Sequence, residues 1–328
     1  MAEKILITGV TGFIGNQVLK QFLQKNTEIT AIIRPNTNKA RIKDFAHLVN
    51  LVEIDLTDIE SLKKFLAENN FDSIIHIGAL RGGRKATKKQ FHLANVDASE
   101  QLMLNAIKND SNFIFCSSVG VFGAIPLELP ANNHTPRQKD NYYHTTKILA
   151  EALLQKYVLH GLKGAIIRPA ITYGAGDFGF PFTLIKLVDK QLLRLPDKDV
   201  TIHLTNVHLL AQAFVKLSEQ KFKPGMAFNI ADPKPIKLLD LADYISRKIH
   251  QKKFSSKKII SKHFFELGES ISKSMKNELW TARFQLISKS WYYEVAPAYE
   301  YLSLKQYKTI PDIDEVINWY LSLKKKGK

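Results

Sequence analysis

Near-continuous apolar runs, KILIT, EITAIIR, LVEID, SIIHIG, NFIFCSS and GAIIRP, recur through the first half of the chain, separated by longer stretches of helical periodicity such as residues 16–24 and 98–108. Short β-rich runs alternating with amphipathic helices predict crossover connections and a parallel sheet. Strands apolar on both faces predict helices on both sides of that sheet. The expected fold is α/β, a doubly wound parallel sheet over residues 1–169. Beyond it Pro181, Pro196, Pro224, Pro233 and Pro235 break the chain into shorter elements. A smaller, mostly C-terminal substrate-binding domain is expected from residues 170–200 and 232–328. Residues 201–231 should return to the first domain, since 207–220 reads as a helix and MAFNIA as a strand. Ile260, Phe264, Leu267, Ile271 and Met275 recur at helical spacing and are expected to pack this region onto the sheet domain, a lid over substrate being the alternative.

The run TGVTGFIG follows the first strand and opens the first helix. Glycines in that context allow a tight turn and bring backbone N–H groups and the positive helix end against a pyrophosphate. A Rossmann-type dinucleotide site is therefore expected on Gly9, Thr11, Gly12, Phe13, Ile14 and Gly15. Arg34 ends the second strand, where an acidic side chain would accept from the ribose 2′-hydroxyl. An arginine cannot accept, but it pairs with a 2′-phosphate, so NADP(H) is expected over NAD(H). Asp55, leaving the third strand, suits either the adenine amino group or a helix cap.

Tyr143 and Lys147 stand four apart at the start of a predicted helix and so share one face. A phenol is a poor base at neutral pH, and a neighbouring cation favours its ionised form. Tyr143 is thus the expected proton carrier, with Lys147 lowering its pKa and holding the nicotinamide ribose. Ser117 and Ser118 end a strand at the carboxyl edge, where either hydroxyl can donate to a developing oxyanion. Cys116, within that strand, reads as a small core residue. Arg81 and Arg84 flank two glycines after the fourth strand and are candidates for a carboxylate or phosphate on the substrate.

The net charge of +16 suits nucleic acid, an anionic membrane or an anionic substrate. No zinc-finger or RNA-recognition pattern accompanies it, so nucleic acid is not expected. One cysteine and no Cys/His cluster predict neither an internal disulfide nor a metal. The N-terminus lacks the pattern of a signal peptide, and no apolar run approaches the roughly 20 residues of a membrane span, so a cytoplasmic protein is expected.

Taken together, TGVTGFIG, Asp55-Leu56, IIHIGA, Asn95-Val96, SSVGVFG, YHTTK and RPAITYG resemble, in order, the extended short-chain dehydrogenase/reductase family, its NAD(P)-dependent epimerase/dehydratase group. The resemblance implies that Ser118 is the catalytic serine. It also implies that Leu56, His76, Gly78 and Ala79 line the cofactor and that Asn95 supports the active-site backbone. A homodimer through the helices after strands four and five is implied as well. The acidic pair of the family's dehydratases is replaced by Val119 and Gly120, and an asparagine of many of its epimerases by Ile171. Arg283 is the only candidate for their late diphosphate arginine. These departures favour an NADP(H)-dependent oxidoreductase interconverting a ketone and a secondary alcohol. A sugar-nucleotide epimerase is the alternative, and a non-catalytic NADP(H) sensor the third.

Overall fold

The computed structural model describes residues 2–81 and 86–326. Strands β1 (Glu3–Thr8), β2 (Thr27–Ile33), β3 (Asn50–Glu53), β4 (Ser73–His76), β5 (Asn112–Cys116) and β6 (Lys163–Pro169) follow the predicted runs. Four short strands come next, β7 (Ile171–Tyr173), β8 (Leu195–Pro196), β9 (Thr201–Ile202) and β10 (Leu204–Asn206), and then β11 (Ala227–Ile230). The main sheet has seven strands in the order β11-β6-β5-β4-β1-β2-β3, all parallel. Strand order reverses between β1 and β4, which opens a crevice at their carboxyl ends.

Helix α1 (Phe13–Phe22) packs with α7 (Val207–Ser218) on one face, while α2 (Ile59–Glu68), α4 (Ala98–Lys108) and α5 (Tyr142–Val158) cover the other. The short α3 (Lys88–His92) leads into α4, and α6 (Phe180–Asp189) lies outside the sheet layers. The two-residue period of a strand divides β1 between the two cores. Ile5 and Ile7 join Leu19, Leu210 and Phe214, whereas Leu6 joins Leu62, Leu102 and Leu154. Each such side chain stabilises the fold by about 1.5–3 kcal/mol.

A third core, around Trp291, Tyr173, Leu184, Ile202 and Leu241, is entered from the carboxyl ends of β5 and β6 through Val119 and Ala170. It includes α6, α8 (Leu238–His250) and most of the chain's end, but α11 (Ala296–Leu302) departs from the expected division. Its Ala298 and Leu302 pack into the sheet-side core.

Helices α9 (Lys262–Ser274) and α10 (Glu278–Ser288) form a hairpin that corrects another expectation. Phe264, Leu267, Ile271 and Met275 do not pack onto the sheet: each is more than half exposed. The face of α9 turned inward carries Phe265, Glu269 and Ser272. Glu269 there binds Lys289 at 2.8 Å and Lys273 at 2.7 Å and accepts from Gln285. Gly268 leaves space for the Phe284 ring. These polar and steric contacts set the rotation of the helix. Among the described residues no helix is long and apolar enough to cross a membrane, and no group of three or more His, Cys, Asp or Glu is gathered to hold a metal.

Candidate active site

Gly9 adopts φ +84°, and a Cβ on it would lie 2.7 Å from the Gly78 nitrogen. A Cβ on Gly15 would strike the Gly9 carbonyl, which already accepts from Gly12 N at 2.9 Å. Gly12 caps α1 with no side-chain hydrogen bond, and the first turn holds no acidic residue. The N–H groups of Phe13 and Ile14 are thus presented to an anion beside the half-buried Thr11. This cradle fits the pyrophosphate of a dinucleotide.

Thr8, not singled out by the sequence reading, organises the crevice wall. Its Oγ1 accepts from Ile77 N at 3.1 Å and from Gly78 N at 2.9 Å, and meets Nδ1 of His76 at 2.7 Å. Nε2 of His76 meets Ser99 Oγ at 2.9 Å, and Ser99 donates to the Asn95 carbonyl at 2.9 Å. With both lone pairs of Thr8 taken, its proton goes to Nδ1, so His76 carries its hydrogen on Nε2. Burial pushes its pKa down to about 3, with the Lys147 charge adding to the effect. His76 offers no polar atom to a ligand; it braces Gly78 and Ala79, which lie half-buried at the end of β4. Leu56 closes the gap, 3.0 Å from where a Gly78 Cβ would be.

Asn95 lies in a π-helical turn, Leu93–Asp97, that joins α3 to α4. Its Nδ2 donates to the Leu80 carbonyl at 2.8 Å and to Thr146 Oγ1 at 3.0 Å, while its Oδ1 accepts from Leu80 N at 2.7 Å. The widened turn ties the loop after β4 to the start of α5, a use of such turns common at functional sites.

Asn141 caps α5 by accepting from His144 N, which sets Tyr143 and Lys147 in its first turns. Lys147 is buried and donates from Nζ to the Cys116 carbonyl at 2.7 Å, its ammonium over the Phe115 ring. Burial lowers its pKa to about 8. Burial also raises the Tyr143 phenol, with the Cys116 thiol adding to the rise, while the Ser118 hydroxyl and the Arg81 charge pull it down. The Arg81 charge favours the phenolate, and Lys147 is anchored on the Cys116 carbonyl of the sheet. Cys116 is buried with its thiol pushed up to about 11 by that burial, so it is a core residue.

The two serines separate. Ser117 donates to Glu151 Oε1 at 2.6 Å, and Glu151 is held bidentately by Arg168 at 2.7 and 2.8 Å. Ser118 is only half-buried, and its Oγ accepts from Gly120 N at 3.0 Å. Only Ser118 is left beside Tyr143.

Arg34 is exposed at the end of β2 and has no ion pair among the described residues, whereas Lys39 nearby binds Glu53. Asp55 is half-buried and closes a local turn, accepting from Thr57 N and Oγ1 at 2.9 and 2.8 Å, and Asp58 is the residue that caps α2. Arg81 lies 3.8 Å from Asp177, whose loop also receives Arg41 on the Gly176 carbonyl. Arg84 lies outside the described residues.

The profile of the NAD dependent epimerase/dehydratase family matches residues 5–231. The chain belongs to that family. A UDP-glucose 4-epimerase of Caenorhabditis elegans is 32% identical over 168 residues, 46% of this chain and 48% of that protein. The chain spans about half the length of the first curated relatives it matches, 48% and 47%. A UDP-N-acetyl-alpha-D-glucosaminuronate decarboxylase of Bacillus cytotoxicus is 25% identical over 276 residues, 79% of this chain and 83% of that protein. The structure of a UDP-glucuronic acid 4-epimerase from Bacillus cereus, solved with NAD, superposes with a TM-score of 0.75 at 20% identity, over 98% of this chain and 99% of that one.

Within this epimerase/dehydratase chain, a Cβ at Gly120 would collide with the His144 imidazole. His144 is held through Nδ1, which donates to Asp140 Oδ1 at 2.5 Å, so a side chain at position 120 would have to displace that ring. Ile171 packs against the third core. Arg283 is exposed and stacked 4.9 Å over Trp280 on the α9–α10 hairpin.

Proposed function

We propose that this chain oxidises and reduces a secondary alcohol carbon of a sugar nucleotide in an epimerase-type reaction, with Tyr143 moving the hydroxyl proton. The observation carrying the reading is the placement of Tyr143 beside Ser118 at the carboxyl edge of β5, one strand removed from β1 and its glycine cradle on the same edge of the sheet. A nicotinamide held there supplies the hydride acceptor and donor. Tyr143 Oη takes the proton as the alcohol is oxidised and returns it on reduction. Ser118 donates to the substrate oxygen as charge develops on it. Lys147, already fixed by the Cys116 carbonyl, binds the nicotinamide ribose, and Arg81 biases Tyr143 toward phenolate.

The sugar nucleotides in the relatives' names support this substrate class over a plain ketone. The blocked position at Gly120 argues against dehydration through an acidic pair. Arg34, exposed and uncommitted, supports a preference for the 2′-phosphate of NADP(H). Pairing of two copies through α4 and α5 belongs to the same reading. The deciding experiment is nuclear magnetic resonance of UDP-glucose, UDP-N-acetylglucosamine and UDP-glucuronate incubated with the protein and NADP(H) or NAD(H). Appearance of a 4-epimer is expected. Consumption of NADPH on simple ketones, with no conversion of any sugar nucleotide, would replace this reading with the ketone reductase.

A further inference from the structure

The inward face of α9 carries Phe265 with the polar Glu269 and Ser272, while its outward face carries Phe264, Leu267 and Ile271, continued by Met275 just past its end and by Leu279 and Trp280 in the first turn of α10. All six are at least half exposed. The row on α9 runs roughly 16 Å along one side of the helix, and a contiguous exposed apolar surface of this kind marks an interaction site. The charged residues of the hairpin lean basic. Residues 262–289 have five basic and three acidic residues, a net of +2, and the segment 252–258 leading into the hairpin adds four lysines. One of those acids, Glu269, is buried and consumed by Lys273 and Lys289.

We propose that this hairpin docks the protein on an anionic phospholipid surface. A helix with an apolar row of Phe, Leu and Ile beside basic residues lies in the plane of the headgroups with that row in the acyl boundary. Trp280, whose ring carries the Arg283 guanidinium at 4.9 Å, has the amphipathic character of an interfacial anchor. Lysines such as Lys262 and Lys276 meet lipid phosphates, each strengthening partitioning by about fivefold near the surface. Charge complementarity selects this occupant over a second copy of the chain. A symmetric pairing of the apolar rows would bring two net-positive hairpins together, whereas an anionic bilayer neutralises one.

The experiment is co-sedimentation of the full chain with vesicles of phosphatidylcholine alone and of equal parts phosphatidylcholine and phosphatidylglycerol. The protein should sediment with the anionic vesicles only, and less as salt rises. Leu267→Glu/Ile271→Glu, both at exposed positions, should weaken that binding at least tenfold while NADP(H) affinity and the thermal midpoint stay unchanged. Lys262→Glu/Lys276→Glu should weaken it without touching the apolar row. Failure of the wild type to sediment with either vesicle overturns the proposal, as does equal sedimentation of the Glu variants. So does light scattering that shows a dimer split by Leu267→Glu/Ile271→Glu, which assigns the face to a second copy. Binding to soluble polyglutamate without binding to vesicles overturns it as well, assigning the face to an acidic protein.

Discussion

Thr8 Oγ1 lies 2.7 Å from His76 Nδ1 and fixes that ring's tautomer, because its own lone pairs are committed to the N–H groups of Ile77 and Gly78. The end of β1 thereby holds the end of β4 against the glycine cradle. Thr8→Val keeps the shape and removes the one oxygen that accepts from both N–H groups. Leaving a buried donor unsatisfied costs about 1–3 kcal/mol. The variant should unfold at lower urea and bind nicotinamide cofactor more weakly. An unchanged urea midpoint together with unchanged affinity would falsify this role.

Tyr143→Phe should lower turnover by about 10²- to 10⁴-fold, the usual consequence of losing a general acid–base group. Cofactor affinity should hold, because the fold keeps the ring and loses one hydroxyl. Single-turnover rates and cofactor titration check the pair of expectations; near-normal turnover removes Tyr143 from the chemistry.

Arg34→Asp should reverse the cofactor preference. Loss of a charge-assisted contact to the 2′-phosphate weakens NADP(H) binding roughly 10- to 100-fold, while the new carboxylate accepts from a ribose hydroxyl. Dissociation constants for both cofactors on both proteins measure the crossover. A wild type that already binds NAD(H) more tightly contradicts the assignment.

Arg81→Ala tests whether the loop after β4 acts on the proton carrier. Removing that charge takes away one of the two influences that lower the Tyr143 phenol. The alkaline rise in turnover should move to higher pH, by a larger margin than in Lys88→Ala. Coincident pH–rate profiles for the wild type and Arg81→Ala would show that Arg81 is only a surface charge.

Two buried histidines set the acid response of the fold. His76 is held neutral by burial with its pKa at about 3, and His203 at about 4, its Nε2 donating to the Asp232 carbonyl. The unfolded chain therefore binds protons below about pH 6.5 that the folded chain refuses, so stability falls as pH drops through that value. Between pH 7 and 5.5 the two together should cost on the order of 2 kcal/mol. Denaturant midpoints over that range measure it, and His203→Gln should flatten the slope. A wild-type midpoint that rises on acidification would contradict the sign.

Local pattern was sufficient for the strands, the glycine cradle and the Tyr143–Lys147 spacing, because each depends on residues a few positions apart. KILIT reads as a buried strand wherever it lies, and a phenol and an ammonium four apart on a helix share a face in any fold. Tertiary structure alone decided what those groups meet. Ser117 and Ser118 are chemically the same in the sequence, yet 34 residues of chain separate Ser117 from the Glu151 that captures it. His76 reads as a cofactor contact by resemblance, and only the return of β4 beside β1 brings it to Thr8, 68 positions away. The stripe on α9 has an ordinary core spacing. Its rotation was set by Glu269, which is held by Lys289 at the end of the neighbouring helix, because a buried carboxylate must find its partners before an apolar row finds a core.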